Sequence, residues 1–454
     1  MKTTTPVKNP PASAPIFEAG PKCRAVFQEE QKHLAPGLQS FALFSQIAIK
    51  SGKGVTLTDE DDKTYLDFLA GIGVASLGYS HPEYIRVLTE QLNRITVGSF
   101  TSARRASWVN RLASVTPKGL DRVMLYSSGA EAVESALRLA KSRTKKHEVI
   151  GFSGGFHGKT GGVLPLLDGS FKHDIGPLMP GLYSSPYPDG YRCPLKTQGE
   201  HDCAAHCLEY LRDLIKKTTA NSVCAVLVEP IQGTAGNVIP APGFLKGLRE
   251  LTKELGAMLI FDEMITGFGR TGRMFGSEHE GVVPDIMTIG KGMAGGFPVS
   301  GVISTTEIAS SKPWANPSGS SSSYGGNPFA SAACDAALDI IIKEKLVESS
   351  ASVGKALLER LTKMQDRFPW IGHIRGRGLM IGVELVSDRK TKKPLAGNIT
   401  RELFDEALKR GLLSMCYNPN IRINPPLVIT MAEAMRGADI FEESLAAVAK
   451  RHGG

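Results

Sequence analysis

Residues 261–300 read FDEMITGFGRTGRMFGSEHEGVVPDIMTIGKGMAGGFPVS, and two apolar runs organise them. The first, in AMLIFDE, closes on Asp262; the second, in DIMTIGKG, is followed by Lys291. Each run is four to six residues long, rich in Ile, Leu and Met, and ends in polar residues or glycine. That is the pattern of a parallel strand buried on both faces. Ligands of open α/β sheets bind beyond the carboxyl ends of strands, so Asp262 and Lys291 are expected to face one crevice. Read alone, each has a plainer meaning: Lys291 as a solvated loop lysine, Asp262 as a helix cap.

A chain of 454 residues exceeds one small core and predicts two or three lobes. Its 42% hydrophobic and 22% charged residues describe an ordinary globular protein. The net charge of +8 is scattered apart from short runs such as Lys145-Lys146, which argues against a nucleic-acid partner and for a general attraction to anionic cofactors and carboxylates. No apolar run approaches the ~20 residues that cross a bilayer, so no membrane partner is expected. MKTTTPVKNPPASAP (1–15) lacks the apolar core of a signal peptide and reads as a flexible arm. Seven cysteines, an odd number, favour reduced thiols in the cytoplasm. Cys193, His201, Cys203, His206 and Cys207 crowd one segment without paired C-x2-C spacing. A loop followed by a helix over 205–217 is therefore preferred to a structural metal or a local disulfide, and no metal is expected.

Strands and helices alternate along the rest of the chain. GVTLTDEDDKTYLD (54–67) reads as a β-hairpin turning at DEDDK, followed by the glycine-rich LAGIGVASLGYSHP and a helix from about Pro82. In VMLYSSGAEAVESALRLAKSRT (123–144) a short strand ends at Tyr126, the chain turns, and a helix begins. The first N–H groups of such a helix and its dipole suit a phosphate at Ser128, Gly129 and Ala130, although Ser128 serves equally as a cap. VIGFSGGFHGKT brings Phe156 and His157 to a loop where an aromatic ring can stack on a flat ligand; a core phenylalanine is the plainer reading. The strand CAVLVEP delivers Glu229 ahead of IQGTAG. After Lys291, PSGSSSSYGGNPFASAA leads to one long helix over 338–365, a strand pair in IGHIRGRGLMIGVELV, a helix in ITRELFDEALKRG, and then NIRINPPLVIT. There Arg422 stands between Ile421 and Ile423, where it can take a carboxylate in two hydrogen bonds or form a structural ion pair.

A lysine amine forms a Schiff base with an aldehyde, and a nearby acid keeps a pyridine nitrogen protonated. Pyridoxal 5′-phosphate (PLP) needs both groups. With SSGAEA, FHGKT, the Asp262 and Lys291 strands, SSYGGNP and IRINPPL in this order, the chain resembles the class III aminotransferases from about Gly54 to about Leu427. That PLP-dependent fold-type I family includes ω-amino acid and 4-aminobutyrate aminotransferases. The resemblance implies an α/β fold: a large domain on a mainly parallel, seven-stranded sheet, plus a small α+β domain. Residues 1–75 would form the N-terminal arm and a small-domain segment, 76–335 the large PLP-binding domain and 336–454 the C-terminal small domain. Lys291 and Asp262 would be catalytic. The cofactor would be bound by these two with Ser128, Gly129, Ala130, Phe156, His157, Glu229 and Ile265. Ser323 would reach the phosphate of the partner subunit's cofactor, in a homodimer with shared active sites or a tetramer of such dimers. Ile72, Lys159 and Arg422 would meet substrate, Arg422 as the α-carboxylate clamp.

Two departures from the family bear on substrate. Lys159 stands where 4-aminobutyrate enzymes carry an arginine that grips the distal carboxylate, and lysine lacks the bidentate fork. Thr234 stands where enzymes that alternate with 2-oxoglutarate usually carry a glutamate that pairs with a mobile arginine. The expectation is transamination from an ω-amine or amino acid to a small 2-oxo acid, pyruvate before 2-oxoglutarate, by a ping-pong sequence through an internal aldimine on Lys291. Amino-acid racemases and epimerases of the same fold share nearly all these motifs, so an isomerase is the alternative. A non-catalytic binding protein is a further one, against which the presence of both Lys291 and Asp262 argues.

Overall fold

The computed structural model describes residues 16–196 and 200–453; the arm of residues 1–15 and the side chain of His201 lie outside them. A seven-stranded sheet runs in the order Arg122–Tyr126, Ser300–Ser304, Ile286–Ile289, Met258–Asp262, Val223–Val228, Glu148–Phe152, Leu182–Ser185. Ser300–Ser304 is antiparallel to both neighbours, and every other adjacent pair is parallel. Six strands therefore end at one edge, and Ser300–Ser304 begins there. This is the mainly parallel α/β sheet expected from the sequence.

Alternation along the strands divides the core between the two faces. Ile150, Phe152, Val226, Val228, Leu259 and Phe261 pack with the helices Glu200–Thr218 and Phe244–Leu255. Val149, Ala225, Leu227, Ile260 and Val302 pack with Gly129–Thr144. Covering both faces is why Val223–Val228 is buried at every position, and each such Leu, Ile, Val or Phe contributes about 1.5–3 kcal/mol. Cys203 and Cys207 are buried on the helix Glu200–Thr218, where burial pushes the Cys207 thiol up to about 11. Among the described residues no helix is long and apolar enough to cross a membrane.

Two smaller sheets flank the site edge. The hairpin Thr56–Asp59 and Thr64–Asp67 is antiparallel, and Leu412–Leu413 joins its far side in parallel, so early and late chain share one sheet. Ile371–Arg377 and Met380–Asp388 form a second hairpin, and Asn420–Ile423 pairs with it so that Arg422 lies opposite Gly382. Phe404 and Phe441 bury the helices Gly397–Lys409 and Met431–His452 against this part of the core.

The single helix expected over 338–365 is instead two, Pro328–Lys343 and Leu346–Thr362, separated by Lys345 at φ 52°. Glu344 and Lys345 are ordinary helix formers, so propensity carries no stop signal. Tertiary contacts decide the break: Leu346 is buried, and Ser350 Oγ accepts from Leu379 N and donates to Arg270 O, both at 3.1 Å. Residue 335 lies inside the first of these helices, which Asn327 caps by accepting from Ala330 N.

Candidate active site

Strand ends at the shared edge deliver the side chains of the site. Met258–Asp262 ends on Asp262, which is 1% exposed, and Ile286–Ile289 runs through Gly290 to Lys291. The parallel register sets Asp262 beside Thr288, whose Oγ1 donates to Asp262 Oδ1 at 3.1 Å; Met264 N donates to the same oxygen. His157 Nδ1–H donates to Asp262 Oδ2 at 2.7 Å. Burial pulls the His157 imidazole down, but the bond to Asp262 and the charges of Asp262 and Glu229 leave it above its ordinary value.

Two glycines allow the approach. A Cβ on Gly158 would stand 2.4 Å from Ala130 Cβ, so the FHGKT loop rests directly on the SSGAEA turn. A Cβ on Gly290 would stand 2.6 Å from Met264 Sδ. Lys291 itself holds φ 46°, a left-handed value rare outside glycine and frequent at functional sites. Burial lowers its amine below the ordinary lysine value, against the raising charges of Asp262 and Glu229.

The turn after Arg122–Tyr126 starts the helix Gly129–Thr144. Ser128 Oγ accepts from Glu131 N at 3.3 Å, and Ser300 Oγ donates to Ser128 O at 2.6 Å. Ser128 is thus a cap, and the first N–H groups of the helix still face outward with no carbonyl of an earlier turn to receive them. Gly129, Ala130, Phe156, His157, Asp262, Lys291 and Ser300 line one cavity of about 230 Å³.

A second cavity of about 360 Å³ shares Phe156 and Lys291 and adds Ile72, Lys159, Phe171, Glu229, Thr234, Ile265 and Arg422. Glu229 spans two loops rather than bonding Asp262: Oε1 accepts from Phe156 N at 2.9 Å and Oε2 from Gly233 N at 3.0 Å. Burial raises its carboxyl. Arg422 donates to Met415 Sδ at 3.3 Å, and burial lowers its guanidinium. Lys159 Nζ sits 5.1 Å from the Phe171 ring centre and 6.0 Å from that of Phe156. Ser323 lines neither cavity; it borders a separate one of about 820 Å³ with Arg105, Ser321 and Ser322.

Thr288, Ser300 and Phe171 complete this arrangement and were not singled out from the sequence. Thr288 had a signal, a lone polar residue in an otherwise apolar strand beside Asp262. Phe171 had none, because the helix that carries it, Gly169–Lys172, is a single turn and too short to show periodicity.

The residues present fit PLP: a buried carboxylate with lone pairs left to accept, an amine held below its ordinary pKa, and helix N–H groups for a phosphate. Strand ends bearing these groups on a mainly parallel sheet define a PLP-dependent enzyme of fold type I. The model of the class III aminotransferase family matches residues 41–445. The chain is 35% identical over 438 residues to the alanine/serine racemase of Pyrococcus horikoshii, covering 94% of this chain and 91% of that one. It is 34% identical over 449 residues to the diaminobutyrate–2-oxoglutarate aminotransferase of Rhizobium meliloti, covering 94% and 93%. The crystal structure of an amine transaminase from an uncultivated Pseudomonas species, in its PLP-bound form, matches with a TM-score of 0.86 at 30% identity over 92% of this chain and 98% of that one. The chain belongs to the class III aminotransferases, and PLP is its cofactor.

Proposed function

We propose that this enzyme moves the amino group of an ω-amine or amino acid to a small 2-oxo acid, pyruvate in preference to 2-oxoglutarate, in two alternating half-reactions at one site. The observation that carries the reading is that Lys291 stands where two cavities meet, one lined by the acid and the helix turn and the other by Arg422. Bound PLP supplies an aldehyde and an electron-withdrawing ring. Asp262 keeps the ring nitrogen protonated, and its bonds from His157, Thr288 and Met264 orient it for that task. The helix turn at Ser128, Gly129 and Ala130 holds the phosphate, and Phe156 covers the ring. Lys291 Nζ, lowered by burial, is the base that takes the proton from the donor's amine-bearing carbon and returns it one position away.

Arg422 orients the carboxylate of an amino acid or 2-oxo acid, with Ile72 as the facing wall. Thr234 is exposed at the rim and carries no charge, which favours a short acceptor over a dicarboxylate. The enzyme works as a homodimer: Ser323, bordering a cavity apart from Lys291, supplies its hydroxyl to the partner's cofactor phosphate. Its place is the cytoplasm, in keeping with free buried thiols such as Cys203, Cys207 and Cys334.

One observation favours a second reading, racemisation of an amino acid: the 35% identity to an alanine/serine racemase. A spectrophotometric half-reaction separates the two. Candidate amines and amino acids are added singly to the yellow enzyme without acceptor, and the absorbance band of the lysine-bound cofactor is followed. Conversion to the pyridoxamine phosphate spectrum is the expected outcome. A persistent band with decaying optical rotation would establish the isomerase instead.

A further inference from the structure

Four consecutive residues, Ala70, Gly71, Ile72 and Gly73, have φ of 49°, 59°, 67° and 73°. Together they make one turn of left-handed helix, a conformation disfavoured for L residues and most of all for β-branched ones. Such strain persists only where surrounding structure over-determines it. Here the determinant is Asp67, which is fully buried at the end of Thr64–Asp67. Its Oδ1 accepts from Leu69 N at 2.7 Å and from Ala70 N at 3.1 Å, while Oδ2 accepts from Ala70 N at 3.0 Å and from Tyr79 Oη at 2.7 Å.

The turn sits between two spaces. Gly71, Ile72 and Val74 wall the 360 Å³ cavity that holds Lys291 and Arg422. Gly71 and Val74 also line an apolar groove of about 690 Å³ on the other side. Two backbone bonds tie its flanks to the segment after Arg422: Asn424 N to Phe68 O and Leu427 N to Ser76 O, both 2.8 Å. The turn that carries Ile72 and the segment that follows Arg422 are therefore tied together.

We propose that Asp67 is a positioning residue for donor selection: its buried carboxylate holds Ala70–Gly73 left-handed, so that Ile72 limits the bulk accepted beside the amine-bearing carbon. This rests on the second cavity being the donor's. Asp67→Asn keeps the size of the side chain but removes its charge and replaces the oxygen between Ala70 N–H and Tyr79 Oη by an N–H₂. That group can still donate to the tyrosine oxygen but cannot accept from Ala70 N, so the turn keeps one neutral acceptor in place of a two-oxygen charged one and loosens.

The test uses the holoenzyme and two donors, one small and one bulky at the carbon bearing the amine, chosen from those that convert it. Asp67→Asn should raise the small donor's KM by about tenfold, leave its kcat within about threefold, and improve the bulky donor's kcat/KM relative to the small one's. Ile72→Ala should shift the same ratio in the same direction, and the double variant should add little to either single one. Amide hydrogen exchange should accelerate over residues 69–75 in Asp67→Asn. Tyr79→Phe, which removes one bond and keeps the ring, should show a smaller version of both effects if Asp67→Asn does not fold.

Strictly additive effects, equal losses for both donors, or unchanged exchange over residues 69–75 would overturn the role of Asp67. An unchanged donor ratio in Ile72→Ala would instead remove the cavity assignment. Should no donor convert the enzyme, the transamination reading fails, and the exchange measurement still decides whether Asp67 holds the turn.

Discussion

Beside Asp262 the cavity at Lys291 is walled by strand ends and a helix turn, and its central polar groups are matched within the chain: three donors meet the two Asp262 oxygens. Beside Arg422 the wall is a left-handed turn, an aromatic loop and a strand of another sheet, and the cations are matched by softer groups. Arg422 meets Met415 Sδ and Lys159 meets the rings of Phe156 and Phe171. Neither cation forms an ion pair with a protein carboxylate among the described residues. The first half is complete without substrate and suits a resident cofactor. The second holds its cations without a direct ion pair among the described residues, with Glu229 the carboxylate that shares the cavity, and suits carboxylates that come and go.

The sharpest way to break this contrast is at the residue both halves share. Lys291→Ala should slow the donor half-reaction by about 10²–10⁴-fold, the contribution of a placed acid–base group, in stopped-flow absorbance. A variant within tenfold of the parent rate would move the proton-transfer role elsewhere. On the open side, Arg422→Met should raise KM for a 2-oxo acid by about 10–100-fold, because a charge-assisted hydrogen bond contributes about 1.5–3 kcal/mol. An amine donor without a carboxylate should be almost unaffected. Equal losses with both substrates would make Arg422 a structural cation.

On the closed side, Asp262→Asn should destabilise the fold by about 1–3 kcal/mol in urea, the cost of leaving buried partners unmatched. It should also change the pH dependence. The folded-state pKa of His157 lies above its ordinary 6.5, so the pair's contribution is fully present below pH 6.5 and is lost as pH rises through the folded value. Parent stability should therefore fall across that window, and Asp262→Asn should fall less. A parallel pair of profiles between pH 5 and 9 would show that His157 does not titrate against Asp262.

The contrast also explains what was legible in the sequence. The closed side is made of contiguous pieces, a strand and the turn that follows it, so AMLIFDE, DIMTIGKG and SSGAEA announce the elements, while the roles of the residues at their ends come from the resemblance. The open side depends on distant segments meeting: Ile72 and Phe171 lie on two short helical turns, Thr234 on a loop and Arg422 on a strand. Resemblance pointed to Ile72 and Arg422, but no local pattern pointed to Phe171, and nothing in LAGIGVAS signals four left-handed residues held by the preceding Asp67. The expected helix over 338–365 failed for the same reason, since the break at Lys345 answers to Leu379 and Arg270 rather than to its own neighbours.

Lys159 gives the finest test of the difference. Its ammonium is exposed and held over two rings, an arrangement that contributes about 0.5–1 kcal/mol and that a compact point charge can leave without losing a fixed geometry. It can attract the distal carboxylate of a dicarboxylic acceptor but cannot grip it in two bonds. Lys159→Met should thus raise KM for 2-oxoglutarate by about threefold and leave that for pyruvate unchanged, with the difference fading at high salt. Lys159→Arg, which adds the planar fork, should improve 2-oxoglutarate relative to pyruvate. If Lys159→Met instead cost more than tenfold with 2-oxoglutarate alone, Lys159 would already be a committed carboxylate site. The preference for a short acceptor would then fall, and the open side would be matched as specifically to its ligand as the closed side is to its own chain.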